Sequence, residues 1–124
     1  MAGQLTIDTL KASSGVLATQ NGMTGIAKAW CLFDGSASTI TTSFNVSSLT
    51  KNGTGDYTLT YTTALPSANY AINTSGGDFS TSGRCTGGYS NATRLTTSVR
   101  LVSTNAAQSG NTDCSVYYFA ALGA

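Results

Sequence analysis

The sequence predicts an all-β fold, a small antiparallel β-sandwich or jelly-roll-like domain. Apolar and polar residues alternate with a period of two over most of the chain, and helical patterning is nearly absent. Ser and Thr together make up 37 of the 124 residues, and Thr favours the pleated, half-exposed surface of a sheet. Gly-containing polar stretches separate the alternating runs at short intervals, as expected for strands joined by turns.

The composition argues against catalysis and nucleic-acid binding. The chain has no His, and all of its five acidic residues are Asp, so the commonest acid–base groups and the commonest metal ligand are missing. A formal net charge of +1 provides no electrostatic attraction to nucleic acid or to an anionic membrane. We therefore expect a protein that is not an enzyme, uses no cofactor or metal, binds no nucleic acid and does not insert into a membrane.

The supply of large apolar side chains is small for a domain of this length. Leu, Ile, Val and Phe account for 23 of the 124 residues. A core this thin, under a weakly charged surface, is expected to be completed by contact with other chains.

The run 26–34 predicts the first strand of the domain. Trp30 and Leu32 alternate with Cys31 and Phe33, so both faces carry apolar side chains and a central position in the sheet is indicated. On this pattern Trp30 belongs to the core, with Lys28 buried or extending to the surface beside it. A ligand-binding cage of Trp30 and Lys28 is the alternative.

A β-hairpin is predicted next. The runs 40–47 and 57–62 alternate between apolar or aromatic and hydroxyl side chains, which predicts one apolar face and one hydroxyl face. The segment 51–55 between them contains Asn52-Gly53, a pair that tolerates the positive φ angles of a tight turn.

The second half of the chain is less regular. Pro66 ends the preceding strand, because proline cannot donate to a ladder, and a short strand follows at 70–72. The Gly/Ser-rich stretch 74–91 is either a functional loop or a hairpin of weak strands. Further strands are predicted at 95–101 and 114–119, where the run of Tyr and Phe indicates sheet core or a contact between copies. Residues 1–24 form an appended segment that needs a partner, and residues 25–124 form the domain.

The three cysteines, at positions 31, 85 and 114, are widely spaced and form no zinc pattern. All three can be free thiols. Alternatively, Cys85 and Cys114 form one disulfide, because both lie in the C-terminal half and Cys31 lies within a strand.

Three motifs resemble a known family. These are GIAKAWCLFDG at 25–35, SFNVSSLTKNGTGDY at 43–57 and YTTALPSANY at 61–70. Together they resemble the C-terminal, receptor-binding domain of tailed-bacteriophage tail fibres, in particular fibres of phages that infect cyanobacteria. The resemblance covers roughly residues 15–74 well and residues 75–124 loosely, and Cys31 departs from a pattern that has Val there.

The resemblance implies a short fibre protein on the virion surface, assembled in the host cytoplasm. Such fibres are expected to be homotrimers whose tips bind a host-surface glycan or protein. Residues 1–24 would then attach to a baseplate, tail or capsid protein. The alternative is a capsid or baseplate decorating fibre with a purely structural role.

A receptor site is predicted on the Gly-rich stretch, because sugars are held by aromatic faces, neutral hydrogen-bonding groups and Arg. Loops on a rigid β scaffold commonly carry such sites. The candidate residues are Asp78, Phe79, Arg84, Tyr89 and Asn91. Alternatively, the two aromatic residues only fix the loop to the core. Asp34, Asp56 and Asp78 all neighbour Gly and are interpreted as turn residues rather than as catalytic carboxylates.

Overall fold

The computed structural model describes residue 3 and residues 26–77, 84–105 and 110–123, with residues 84–93 described by their backbone alone. Eight strands form within these ranges. They are β1 (Ala27–Asp34), β2 (Thr39–Phe44), β3 (Val46–Gly53), β4 (Asp56–Tyr61), β5 (Ala71–Gly77), β6 (Arg84–Arg94), β7 (Ser98–Thr104) and β8 (Val116–Leu122). The described part of the chain contains no helix.

The strands form two antiparallel sheets that pack as a sandwich, which confirms the predicted fold class. Sheet A has the order β2-β1-β8-β5, and sheet B has the order β7-β4-β3. β6 pairs with β5 at one end of its length and with β7 along the rest, so it connects the two sheets. A jelly roll would pair β2 with β7 and β3 with β6. Here β2 pairs with β1 and β3 with β4, and the jelly-roll-like part of the prediction is therefore wrong.

The run 40–47 was predicted as one strand and is two strands in different sheets. Asn45 separates them with a φ of 56°, a left-handed conformation that Asn tolerates better than most residues. Its Nδ2 donates to the carbonyl oxygens of Lys28 and Thr63, at 3.0 Å each, and its Oδ1 accepts from the Thr63 N–H at 2.8 Å. These bonds hold the corner at which the chain leaves sheet A for sheet B.

The predicted hairpin exists as β3 and β4, but its turn lies elsewhere. The pairing continues to Gly53 opposite Asp56, so Asn52 and Gly53 belong to β3 and the turn is Thr54-Gly55. Gly55 has a φ of 63°, and its carbonyl accepts from the Ser103 N–H at 2.7 Å. The positive φ therefore falls on Gly55, not on the predicted Asn-Gly pair.

The core lies between the inner faces of the two sheets and is rich in aromatic side chains. Phe33 of sheet A lies 5.2 Å from Tyr57 of sheet B and 5.1 Å from Tyr117, measured between ring centroids. The other large, fully buried apolar side chains are Phe119, Leu59, Leu101 and Val99. Packed aromatic rings bury a large apolar area with few residues, which suits a chain that has few large apolar side chains.

β1 is an inner strand, as predicted, but its faces are reversed. The small Ala29 and Cys31 face the core with Phe33, whereas Trp30 is half-buried on the outer face of sheet A, so its predicted core position is wrong. A bulge between Ala27 and Ala29 interrupts the alternation, and Lys28 is 1% exposed. The buried form of the Lys28 prediction is thus the one that the structure has.

Of the three cysteines, Cys31 is a buried free thiol and Cys114 is disulfide-bonded. Ser103 Oγ lies 2.8 Å from the Cys114 sulfur, which as a disulfide sulfur can only accept this hydrogen bond. The side chain of Cys85 lies outside the described residues, and its pairing with Cys114 stays a prediction.

Thiol titration is expected to distinguish these cysteines. Cys31 should resist an aromatic disulfide reagent in the native protein, because it is fully buried and burial raises its pKa to about 11, which leaves almost no thiolate at neutral pH. After unfolding without reductant, one thiol per chain should react. Rapid labelling of the native protein would contradict the burial of Cys31, and three reactive thiols after unfolding would contradict the disulfide.

The strand directions give the sandwich two different ends. The turns 35–38 and 54–55 and residues 110–115 lie at one of them, which we call the loop end, where β5 also ends and β6 begins. At the opposite end, which we call the terminal end, β1 begins and β8 finishes, with Ala27 paired to Leu122. The Asn45 corner and the connections 62–70 and 95–97 also lie there.

Leu95 lies in the last of these connections and is 52% exposed. It was predicted to begin a strand, but β7 begins only at Ser98.

Candidate functional site

The structure places three of the five predicted receptor residues, Arg84, Tyr89 and Asn91, on strand β6. β5 and β6 pair through Gly77 and Arg84, so the interpretation of 74–91 as weak strands holds for 74–77 and 84–91. Asp78 and Phe79 lie outside the described residues. Tyr89 is opposite Leu101, five residues along β6 from Arg84 and therefore about 17 Å from it. Asn91 follows further along the same strand.

At the loop end, Asp113 and Cys114 together connect residues 110–115 to the turns at 35–38 and 54–55. The Asp113 Oδ1 accepts from the Gly55 N–H at 2.8 Å and from the Tyr57 hydroxyl, and its Oδ2 lies 2.6 Å from Lys51 Nζ. The neighbouring Cys114 carbonyl accepts from the Gly35 N–H at 2.8 Å. Residues 110–115 are thereby fixed to both the β1–β2 and the β3–β4 turns.

The electrostatics at Asp113 favour its ionised form. Partial burial would raise its pKa, but the hydrogen bonds from Lys51, Tyr57 and the Gly55 N–H outweigh burial and hold the pKa below its usual range. For Tyr57, burial and the contact with the Asp113 carboxylate both raise the pKa. Tyr57 is therefore a neutral hydroxyl donor at physiological pH, and it gives Asp113 a fixed partner. No role for Asp113 could be predicted from the sequence, because its partners lie at residues 51–57 and only the fold brings them together.

The Asp113 contacts give a testable pH dependence. A carboxyl with a lowered folded-state pKa contributes stability above its unfolded pKa of about 3.9, and this contribution is lost as the pH falls through the lower folded value. Asp113→Asn is expected to cost about 1–2 kcal/mol at pH 7, since the side chain is partly solvated and hydrogen bonds to a charged group are only partly replaced. Urea unfolding of both proteins from pH 7 to pH 2 measures the difference, which should shrink towards the acid end.

Asp34→Asn is the matched control for Asp113→Asn. The Asp34 carboxylate accepts only from the N–H groups of its own turn, at Ser36 and Ala37, and Asn can form the same contacts. This variant should lie within about 0.5 kcal/mol of the wild type. A pH-independent cost for Asp113→Asn would contradict the role of its charge.

The outer face of sheet B is polar, as the predicted hydroxyl face requires. Arg100 and Asp56 form an ion pair there, with Arg100 Nε 2.8 Å from Asp56 Oδ1, and the Arg100 contact lowers the pKa of the carboxyl. The other outward residues of β3, β4 and β7 include Ser48, Thr50, Thr58, Thr60 and Ser98. This surface has the composition expected of a sheet face in contact with water.

The outer face of sheet A is apolar instead. Three of its side chains are among the most exposed large hydrophobic residues: Val116 at 37%, Tyr118 at 38% and Leu122 at 40%. The cross-strand register places Trp30 opposite Phe44 and Leu32 opposite Tyr118, so these side chains share one face. We call this set the apolar face; it comprises Trp30, Leu32, Phe44, Val116, Tyr118 and Leu122.

No charged side chain lies at the described outward positions of the apolar face between Leu32 and Leu122. Its margins carry Thr42 on β2 and Asn73 and Ser75 on β5. Asp34, at the loop-end border, directs its carboxylate to the Ser36 and Ala37 N–H groups. Trp30 was predicted in the core, so its place on this face was not expected from the sequence. The run of Tyr and Phe at 117–119 was predicted as sheet core or a contact between copies; Tyr117 is buried in the core, and Tyr118 lies on the apolar face.

Comparisons with known proteins add no relative: no protein-family model, curated protein or solved structure matches this chain. Within the ranges that the structure describes, no helix is long and apolar enough to cross a membrane. In the same ranges, no three side chains of His, Cys, Asp or Glu lie close enough together to hold a metal ion.

Proposed function

We propose that this chain is a short bacteriophage fibre protein, a non-enzymatic component of the virion that binds a host cell surface. The observation that carries the proposal is the separation of the two ends of the sandwich. The turns 35–38 and 54–55 and residues 110–115 lie at the loop end, and β1 begins at the terminal end. A fibre needs this polarity, because one end must attach to the particle while the other faces the cell.

The rigidity of the loop end supports a recognition role. Asp113 and Cys114 hold residues 110–115 to the turns at 35–38 and 54–55, and β5 ends and β6 begins at the same end of the sandwich. Binding loops are typically carried on such scaffolds. We propose that the receptor is a surface glycan, or else a surface protein, bound through Asp78, Phe79, Arg84, Tyr89 and Asn91.

In this proposal the protein acts as a homotrimer on the virion. Residues 1–24 attach it to a baseplate, tail or capsid protein, and no catalytic step, cofactor or nucleic acid takes part. The resemblance of the motifs at 25–35, 43–57 and 61–70 to cyanobacterial-phage fibres points to a cyanobacterial host. The second candidate is a decorating fibre with a purely structural role on the capsid or the baseplate. The apolar face supports this candidate as strongly as it supports the receptor-binding fibre.

Binding to intact cells tests the proposal. The fluorescently labelled protein would be mixed with a panel of cyanobacteria and other bacteria, and cell-bound fluorescence measured by flow cytometry. Phe79→Ala and Tyr89→Ala are expected to reduce binding at least 10-fold without changing the oligomeric mass. Leu95→Ala is the matched control, because Leu95 is exposed at the terminal end and should not affect binding.

Two results would count against the proposal. Unchanged binding of both aromatic variants would refute the placement of the receptor site. If the protein binds no cells in the panel but binds purified phage particles, the structural candidate is favoured instead.

A further inference from the structure

We infer that the apolar face of sheet A is the surface through which three copies of this chain assemble. The inference rests on the proposed trimer and adds the residues that form its interface. The central positions are Trp30 and Tyr118, with Leu32 and Leu122 beside them in the cross-strand register.

Exposure of these side chains to water is unfavourable in an isolated chain. Val116, Tyr118 and Leu122 each leave more than a third of their surface exposed on one continuous sheet face. Aromatic residues are enriched and charged residues depleted at the centres of protein interfaces, and this face shows both features. Sheet B has a polar outer face with an ion pair, so the apolar character is specific to one side of the sandwich.

The neutrality of the face favours an identical partner. When copies meet around a symmetry axis, each apolar face lies against other copies of itself. A face with several charges of one sign would repel itself, whereas the outward side chains of β1, β5 and β8 between Leu32 and Leu122 carry none. A charged or basic partner would find no complementary group on this surface.

The width of sheet A suits three-fold packing. Four strands spaced about 4.8 Å apart make a face about 19 Å wide. Three such faces arranged as a triangular prism each lie about 5.5 Å from the axis, close to half of the roughly 10 Å spacing between packed sheets. A single layer of side chains from each copy therefore fills the interior, and the thin core of one chain is extended by a shared one.

The test is the mass of the full chain in solution, measured by size-exclusion chromatography with light scattering. The wild type is expected at three times the 12.6 kDa of one chain. Tyr118→Lys places a charge in the middle of the face and should weaken association at least 100-fold, giving the mass of one chain at micromolar concentration. Thr50→Lys is the matched control: Thr50 is exposed on the outer face of sheet B, and this variant should remain a trimer.

Folding of each variant is checked by near-ultraviolet circular dichroism. If Tyr118→Lys does not fold, Leu122→Gln replaces it, since this change removes apolar surface at an exposed position without adding charge. A wild-type mass of one or two chains would overturn the inference, and so would a trimer that survives these substitutions.

The inference and the proposed function fail separately. A trimer that is broken by Tyr118→Lys but binds no cell keeps the interface and refutes the receptor role. A single chain that binds cells, and loses binding with Phe79→Ala, keeps the receptor role and refutes the interface.

Discussion

Gly55→Ala is expected to destabilise the sandwich by about 3 kcal/mol or more, because two independent costs combine at this position. Gly55 has a φ of 63°, which is unfavourable for a residue with a side chain. A Cβ atom added there would also lie 2.7 Å from both the backbone nitrogen and the carbonyl oxygen of Thr112, and even closer to the Ser103 carbonyl oxygen. These are backbone atoms, and they cannot move without breaking the bonds that fix the loop end: Ser103 N–H to Gly55 at 2.7 Å and Thr112 N–H to Ser103 at 3.0 Å.

Gly53→Ala is the matched control for Gly55→Ala in the same hairpin. A Cβ at Gly53 meets nothing within 4 Å, and its φ is not in the left-handed region. This variant should be neutral or slightly more stable, because Ala restricts the unfolded chain more than Gly does. Urea unfolding at neutral pH measures both variants. Equal stabilities of Gly55→Ala and Gly53→Ala would contradict the described geometry of the turn.

Asn45→Ala is expected to cost about 3 kcal/mol, chiefly through polar groups that lose their partners. The Asn45 amide bonds the Lys28 carbonyl and both the carbonyl and the N–H of Thr63, and Asn45 is only 9% exposed. Alanine removes these three hydrogen bonds at the point where the chain changes sheets. It also tolerates the φ of 56° less well than Asn does.

Two further variants separate the causes of the Asn45 effect. Asn45→Gly removes the same hydrogen bonds but accepts the φ angle, so its stability should lie between those of Asn45→Ala and the wild type. Asn52→Ala removes an exposed amide that bonds only the Asp56 and Thr58 side chains, and it should cost less than about 1 kcal/mol. If Asn45→Ala were no more harmful than Asn52→Ala, Asn45 would not hold the corner.

The strands could be predicted because alternation reports burial directly. Tyr57, Leu59 and Tyr61 are buried in β4, and the residues between them are half-exposed, as the period of two requires. β1 and β8 were likewise predicted from their apolar runs, and both lie inside sheet A. Local pattern is sufficient for such elements, because each strand presents one face to the core whatever its neighbours are.

The corner at Asn45 was not predictable from local pattern. Ile40 to Ser47 alternates without interruption, and a single residue with positive φ turns that run into two strands of different sheets. What stabilises this conformation is a set of partners at residues 28 and 63, which are distant in sequence. The turn at Gly55 is similar, because the close approach of residues 103 and 112 selects glycine there.

The candidate sites show the same division between local and distant causes. Trp30 was predicted in the core from the alternation of β1, but the inward face of β1 takes the smaller Ala29 and Cys31 because the inter-sheet space is filled by Phe33, Tyr57 and Tyr117. The apolar face therefore became visible only with the strand order. Once that order is known, the proposed trimer explains the small number of large apolar residues, because part of the apolar surface of each chain would be used between chains.

The accessibility of Trp30 to a neutral quencher is the most direct test of this account, because Trp30 is the only tryptophan in the sequence and lies at the centre of the apolar face. Acrylamide quenching would be compared between the wild type and the folded single-chain form of Tyr118→Lys. Quenching is expected to be several-fold weaker in the wild type, whose emission maximum should lie at shorter wavelength. Equal quenching and equal emission in the two proteins would contradict it.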